Sequence, residues 1–151
     1  MIRPLSAQPR NDYPTRDGKP MAETDLHHDI MVDCIQTLQW WFRDRSVYVS
    51  GNMIVCYEKG NRRIHVSPDV FVVPGIPTYV RENFLLWEEG GRLDFVIETT
   101  SKTTMMEDIE TKYNLYVEKL GVKEYVLFDP REEYLKPSFQ AYRRHGSGFR
   151  A

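Results

Sequence analysis

Asp69, Glu98 and Lys112 are the side chains of this 151-residue chain whose types and settings invite chemistry. Glu98 closes an otherwise apolar run, Phe95, Val96 and Ile97, where burying a carboxylate without a partner would cost several kcal/mol. Asp69 follows Pro68 and opens the apolar run Val70 to Val73. Lys112 lies in a helical pattern whose apolar stripe is Ile109, Tyr113, Tyr116, Val117 and Leu120. At about 100° per residue it falls about 80° from the stripe's centre, beside Met105 and Leu115, from where it can extend along the sheet. Two carboxylates bordering neighbouring buried strands can hold one or two Mg²⁺ ions, which take oxygen ligands and keep several waters. Such a metal stabilises charge developing on a phosphodiester and lowers the pKa of a bound water, while a nearby lysine orients that water or offsets the charge. Each residue also has a plain structural reading. Asp69 and Glu98 can be strand-end caps or halves of salt bridges, and Lys112 pairs with Asp108 at i,i+4.

The elements that must carry these residues follow from periodicity. Leu26, Ile30, Cys34, Leu38 and Trp41/Phe42 recur at helical spacing behind Thr24 or Asp25 as N-cap, which predicts a helix over about 24–44. Short β-rich runs follow: SVYVSGN, MIVCYE, RIHVSP and DVFVVPG, with a hairpin turn at Glu58–Asn61. Residues 75–92 read as a loop whose Leu85, Leu86 and Trp87 pack on the sheet. LDFVIETTS reads as a buried strand, TTMMEDIETKYNLYVEKLG as a helix closed by Gly121, and VKEYVLFDP as a strand stopped by Asp129-Pro130. A short strand at SFQAYRR comes last, and the final residues carry no pattern. The order describes an α/β domain with a mixed sheet. Residues 1–20, with Pro4, Pro9, Pro14 and Pro20, read as a flexible N-terminal arm ahead of a single domain over 21–151.

Composition bounds the remaining possibilities. With 41% hydrophobic and 28% charged residues the chain suits one globular domain with a sizeable core. No apolar run is long enough to span a bilayer and the N-terminus lacks the apolar stretch of a signal peptide, so a cytoplasmic location without membrane contact is expected. Cys34 and Cys56 sit in apolar segments and read as reduced core residues. The net charge of −2 argues against a protein that coats nucleic acid, but a metal-dependent nuclease needs carboxylates at its centre and few phosphate-gripping residues.

Four segments carry a resemblance: Ser67–Val73 (SPDVFVV), Asp94–Thr103 (DFVIETTSKT), Glu107–Tyr116 (EDIETKYNLY) and Leu120–Pro130 (LGVKEYVLFDP). Together they resemble the Uma-two family of restriction endonucleases, part of the PD-(D/E)XK nuclease superfamily, over about residues 20–143. The resemblance implies a restriction-endonuclease-like core, a mixed sheet flanked by helices in the order α-β-β-β-α-β. It implies that Asp69 and Glu98 are the catalytic metal ligands and that Lys112 is the lysine of the family's Asp-x-x-x-Lys-x-x-x-Tyr helix. Mg²⁺ is then the expected cofactor, with Mn²⁺ able to substitute, and DNA the expected substrate. The superfamily's usual lysine position, two residues after the acid, is Thr100 here, so the lysine's role is expected to have moved to the helix; Lys102 is its rival. Glu23 and His27 align with a patch on the family's first helix that sometimes supplies an extra acid, though an inward, satisfied histidine is the simpler reading of His27. Family members commonly continue for a few dozen residues beyond the strand near Phe139 to Tyr142, so a missing C-terminal segment is also expected.

For DNA contact, the candidates are Lys59, Arg62 and Arg63 of the hairpin turn and Arg81 nearer the cleft, gripping phosphate without reading sequence. Two other classes of function compete with a nuclease. One is a non-catalytic nucleic-acid- or protein-binding module on the same fold. The other is an oligomeric structural protein, with Trp40, Trp41 and Phe42 burying against a second copy in a homodimer.

Overall fold

The computed structural model describes residues 3–17, 24–101 and 104–146 and the backbone of 148–150. Glu23 and Lys102 lie outside the described residues. Helix α1 (Asp25–Trp41) is capped by Thr24, whose hydroxyl accepts the His27 N–H. Then come strands β1 (Val47–Ser50), β2 (Val55–Cys56), β3 (His65–Val66), β4 (Val70–Pro74), β5 (Phe84–Leu85) and β6 (Phe95–Thr99). Helix α2 occupies residues 105–119, and β7 (Glu124–Phe128), β8 (Phe139–His145) and β9 (Gly148–Arg150) complete the order.

The mixed α/β class expected from sequence is what the chain adopts, but with two sheets. The larger has the order β1-β4-β6-β7-β8-β9, and the smaller β3-β2-β5. β6 and β7 run parallel in the first, and β2 and β5 in the second. α2 is the crossover that a parallel β6–β7 pair requires. α1 packs against β1, β4 and β6. The sheets meet through aromatic rings, since Tyr48 of β1 stacks on Phe84 of β5 at 5.7 Å and Phe71 of β4 meets Phe84 edge-on at 5.3 Å.

Several sequence expectations shift here. The runs MIVCYE and RIHVSP contribute only two strand residues each and belong to the small sheet. The segment 75–92 is not all loop, because Phe84–Leu85 pairs in parallel with Val55–Cys56. The final residues form a strand after all, turning at Gly146 to pair with β8. These are short pairings sustained by burial and by neighbouring strands, and periodicity over two or three residues carries no signal for them.

The larger correction concerns α2. Glu107–Thr111 and Asn114–Lys119 are wound as π-helix, closed by Lys112 N–H donating to the Glu107 carbonyl and Leu120 N–H to the Leu115 carbonyl. A π turn takes up more residues than an α turn. Mixing the two windings keeps residues four apart nearly in line, so Asp108, Lys112 and Tyr116 form one row where a pure α-helix would let them drift sideways.

The N-terminal arm runs against the body. Buried Asn83, next to β5, accepts from Gln8 and Asn11 at Oδ1, and its Nδ2 donates to Asn11 Oδ1 and to the carbonyls of Tyr13 and Pro14. Tyr13 packs on Trp87 with ring centroids 5.0 Å apart, and the Arg3 guanidinium donates to the Val49 carbonyl.

Candidate active site

Strands β4 and β6 and both helices bring the expected residues together. β4 and β6 are antiparallel with Val70 opposite Ile97, and continuing that register one step sets Asp69 opposite Glu98. Asp69 is fixed at the entrance to β4, where its Oδ2 accepts the backbone N–H of Thr99 at 2.8 Å. The same oxygen lies 3.1 Å from His27 Nε2, brought there by the first turns of α1. Gly51, after β1, makes this possible. A Cβ at that position would stand 1.8 Å from the Asp69 carbonyl oxygen and 2.9 Å from Ile35 Cδ1, so only glycine lets the chains approach this closely.

Glu98 is 1% exposed, and both of its oxygens are engaged. Tyr116 donates its hydroxyl to Oε1 at 2.8 Å and Lys112 donates Nζ to Oε2 at 3.1 Å. The lysine also stands 3.0 Å from Asp108 Oδ1. Asp108 is as deeply buried as Glu98, and its backbone carbonyl accepts the Tyr125 hydroxyl at 2.9 Å. Behind the acids lies a wall of tyrosines, with Tyr113 and Tyr116 of α2 packed on Tyr125 of β7.

The charges follow from this enclosure. Burial and the neighbouring charge of Asp69 push the Glu98 carboxyl well above its usual range, against the opposing pull of Lys112 and the Tyr116 hydrogen bond. Burial alone would lower Lys112, but the flanking carboxylates of Glu98 and Asp108 outweigh it and hold the ammonium above its ordinary value. Burial, then Glu98, raise Tyr116 in the same way, so its hydroxyl keeps its proton and serves as a donor. Asp69, Glu98 and Asp108 together bring three potential negative charges against the one ammonium of Lys112.

The residues singled out in the sequence therefore divide. Asp69, Glu98, Lys112 and His27 converge. Lys59, Arg62 and Arg63 lie on the turn between β2 and β3, where Arg62 pairs with Asp12 at 3.3 Å, and none of them has a hydrogen bond or ion pair to the convergent group among the described residues. The expectation for Arg81 is corrected. Its side chain is fully enclosed, forked onto Glu89 at 2.6 and 3.0 Å, capped by the Pro77 and Tyr79 carbonyls and stacked on Tyr48 and Tyr79, so it holds the loop together and cannot reach phosphate. Sequence reading missed Tyr116 as a donor, Asp108 as a buried member and Gly51 as the residue that admits Asp69. The four-residue spacing of Asp108, Lys112 and Tyr116 was the available signal. Nothing local marks Gly51, since its need arises from a contact with the residue before β4.

The fold and these contacts define a mixed α/β domain with a buried acid–lysine centre at the ends of adjacent strands. The chain belongs to the Uma2 family, described as "Putative restriction endonuclease", whose profile matches residues 3–146. No curated protein matches it.

Proposed function

We propose that the chain is a Mg²⁺-dependent endonuclease that hydrolyses DNA phosphodiester bonds, on a restriction-endonuclease-like core. Family membership supplies the reaction class, and one observation carries the assignment to this site. Glu98 and Asp108 are buried on either side of a single ammonium, and Asp69, 14% exposed, stands opposite Glu98, so up to three negative charges face one positive charge that a divalent cation could supplement. The donor set suits a hard metal, being carboxylate oxygen. Among the described residues no group of three or more His, Cys, Asp and Glu side chains is arranged as a metal cage. Mg²⁺ needs only one or two protein carboxylates, its other positions being filled by water and substrate phosphate, and in this reading Asp69 and Glu98 supply them.

In this reading Asp69 and Glu98 hold the ion, and Mn²⁺ can replace it. When bound, the metal supplies Lewis-acid stabilisation of the phosphoryl oxygens and a more acidic water. The remaining work falls to the chain. Thr99 N–H and His27 fix one oxygen of Asp69, leaving the other available. Tyr116 aims Glu98 by holding Oε1. The Lys112 ammonium stays charged, and from its place beside Glu98 it can orient the attacking water and offset negative charge as it builds on the phosphorus oxygens. The tyrosine wall keeps bulk water from the back of the site, which strengthens each of these interactions.

The test is cleavage of plasmid DNA with and without Mg²⁺ by the wild-type chain and by Asp69→Asn, Glu98→Gln and Lys112→Met. Metal-dependent nicking or linearisation is expected from the wild type alone, with losses of about 100-fold or more in each variant. Unchanged cleavage in all three, with the fold intact, would overturn the assignment. No cleavage by the wild type and no metal binding would favour a non-catalytic binding module.

A further inference from the structure

We propose that Asp108 is a positioning residue, the anchor that keeps Lys112 beside the acids when Glu98 turns to a metal ion; this rests on the nuclease reading above. Lys112 Nζ stands between two carboxylates, 3.1 Å from Glu98 Oε2 and 3.0 Å from Asp108 Oδ1. The two partners are not equivalent. An oxygen of Glu98 that ligates a cation no longer serves the ammonium, and the cation itself repels that ammonium. Lys112 must loosen from Glu98 as the site fills, and its side chain is only 18% exposed, so water is a poor alternative partner. Asp108 is the alternative already in place.

The burial of Asp108 has no other evident purpose. Its carboxylate has Lys112 as its one ion-pair partner, and Oδ2 accepts no hydrogen bond among the described residues. Asp129 shows how this chain satisfies a carboxylate that serves structure. There Oδ1 accepts the Arg131 amide and Oδ2 the amides of Tyr134 and Leu135. Asp108 receives no such amides, although its backbone is held at both ends, N–H on the Thr104 carbonyl at 2.8 Å and C=O on the Tyr125 hydroxyl at 2.9 Å. A buried, firmly placed and under-satisfied acid directed at a lysine is suited to hold that lysine when its other partner is withdrawn.

Calorimetric titration of Mn²⁺ into the full chain tests this without relying on turnover. The set is wild type, Asp108→Asn, Lys112→Met and the double variant. Without Asp108, Lys112 stays on Glu98 and competes with the ion, so Asp108→Asn is expected to weaken Mn²⁺ binding about tenfold or more. Adding Lys112→Met should recover it, strengthening binding far more in the Asp108→Asn background than in the wild type, a coupling that a simple change of charge does not produce. Additive effects across the four proteins would overturn the anchor alone, with Mn²⁺ binding and cleavage by the wild type still supporting the nuclease. No Mn²⁺ binding by the wild type would overturn both. Asp108→Glu covers the case in which Asp108→Asn fails to fold. It keeps the charge but moves it, so Mn²⁺ affinity within about threefold of wild type and a kcat reduced about tenfold at unchanged KM are expected, and wild-type kcat would contradict the anchor.

Discussion

A buried ionic side chain has to be read through its partners, and Arg81 and Lys112 illustrate the two outcomes. Arg81 forks onto Glu89 and two carbonyls, which leaves nothing for a ligand. Lys112 serves two acids that outnumber it. Replacing Arg81 with Met is therefore expected to cost about 3–5 kcal/mol in urea unfolding, because it leaves Glu89, 11% exposed, without its cation. A loss below about 1 kcal/mol would mean that the pair contributes little. Both residues are equally prominent as basic residues in the sequence. What separated them in advance was setting. Lys112 follows Asp108 by four and precedes Tyr116 by four in a helical pattern, and a spacing rule can see that. Arg81 lies in an aperiodic segment, and only the tertiary contact with Glu89 shows that it is used up.

At the scale of the element, a strand end and a glycine decide where the acids stand. Asp69 and Glu98 were legible because each interrupts or borders an apolar run, and the antiparallel register of β4 and β6 then sets them opposite one another. The winding of α2 was not legible, because apolar periodicity over fifteen residues cannot distinguish a pure α-helix from an α/π mixture with the same apolar side. Gly51→Ala is expected to expel the β1–β2 connection from its place above Asp69. Cleavage should fall at least about 100-fold and the thermal midpoint should drop, since a Cβ 1.8 Å from a backbone oxygen cannot be accommodated in place. Retention of both would show that the loop moves aside without disturbing the acid.

β7 ends on Asp129. Burial would raise this carboxyl, but the amides of Leu135, Tyr134, Arg131 and Glu133 outweigh it and hold the group below its ordinary value. A carboxyl depressed in the folded state stabilises above its unfolded pKa, and the contribution fades as pH falls through the folded value. Asp129→Asn should thus be less stable than wild type at neutral pH, with the gap narrowing as denaturant titrations move into the acid range. A gap of constant size would contradict the role of the ionised form. The sequence showed Asp129-Pro130 only as a strand stop. The loop that wraps the carboxylate is defined by amides, which every residue but proline has.

Across the whole molecule, the arm packs on the small sheet through Tyr13 and α1 packs on the large one. Among the described residues no helix is long and apolar enough to cross a membrane. Of Trp40, Trp41 and Phe42, the three aromatics expected to bury against a second copy if the protein is a homodimer, Trp40 and Trp41 are 61% and 66% exposed and Phe42 is partly buried. Light scattering is expected to give twice the chain mass for the wild type and the single-chain mass for Trp41→Glu, whereas a monomeric wild type would remove that expectation. Asn83 joins the arm to the small sheet through five of its side-chain hydrogen bonds to Gln8, Asn11, Tyr13 and Pro14. Composition gave proline and polar residues in this arm but no hint of that clasp, because the signal is one buried amide more than sixty residues away.

Under the proposed function, Asp69 and Glu98 hold a divalent ion beside Lys112. Crystals of the wild-type protein soaked in Mn²⁺ and measured at the manganese edge would examine this directly. An anomalous peak bonded to carboxylate oxygens of both Asp69 and Glu98 is the expected result. Occupied manganese elsewhere, with Asp69 still on the Thr99 amide and Glu98 still held by Tyr116 and Lys112, would contradict the account.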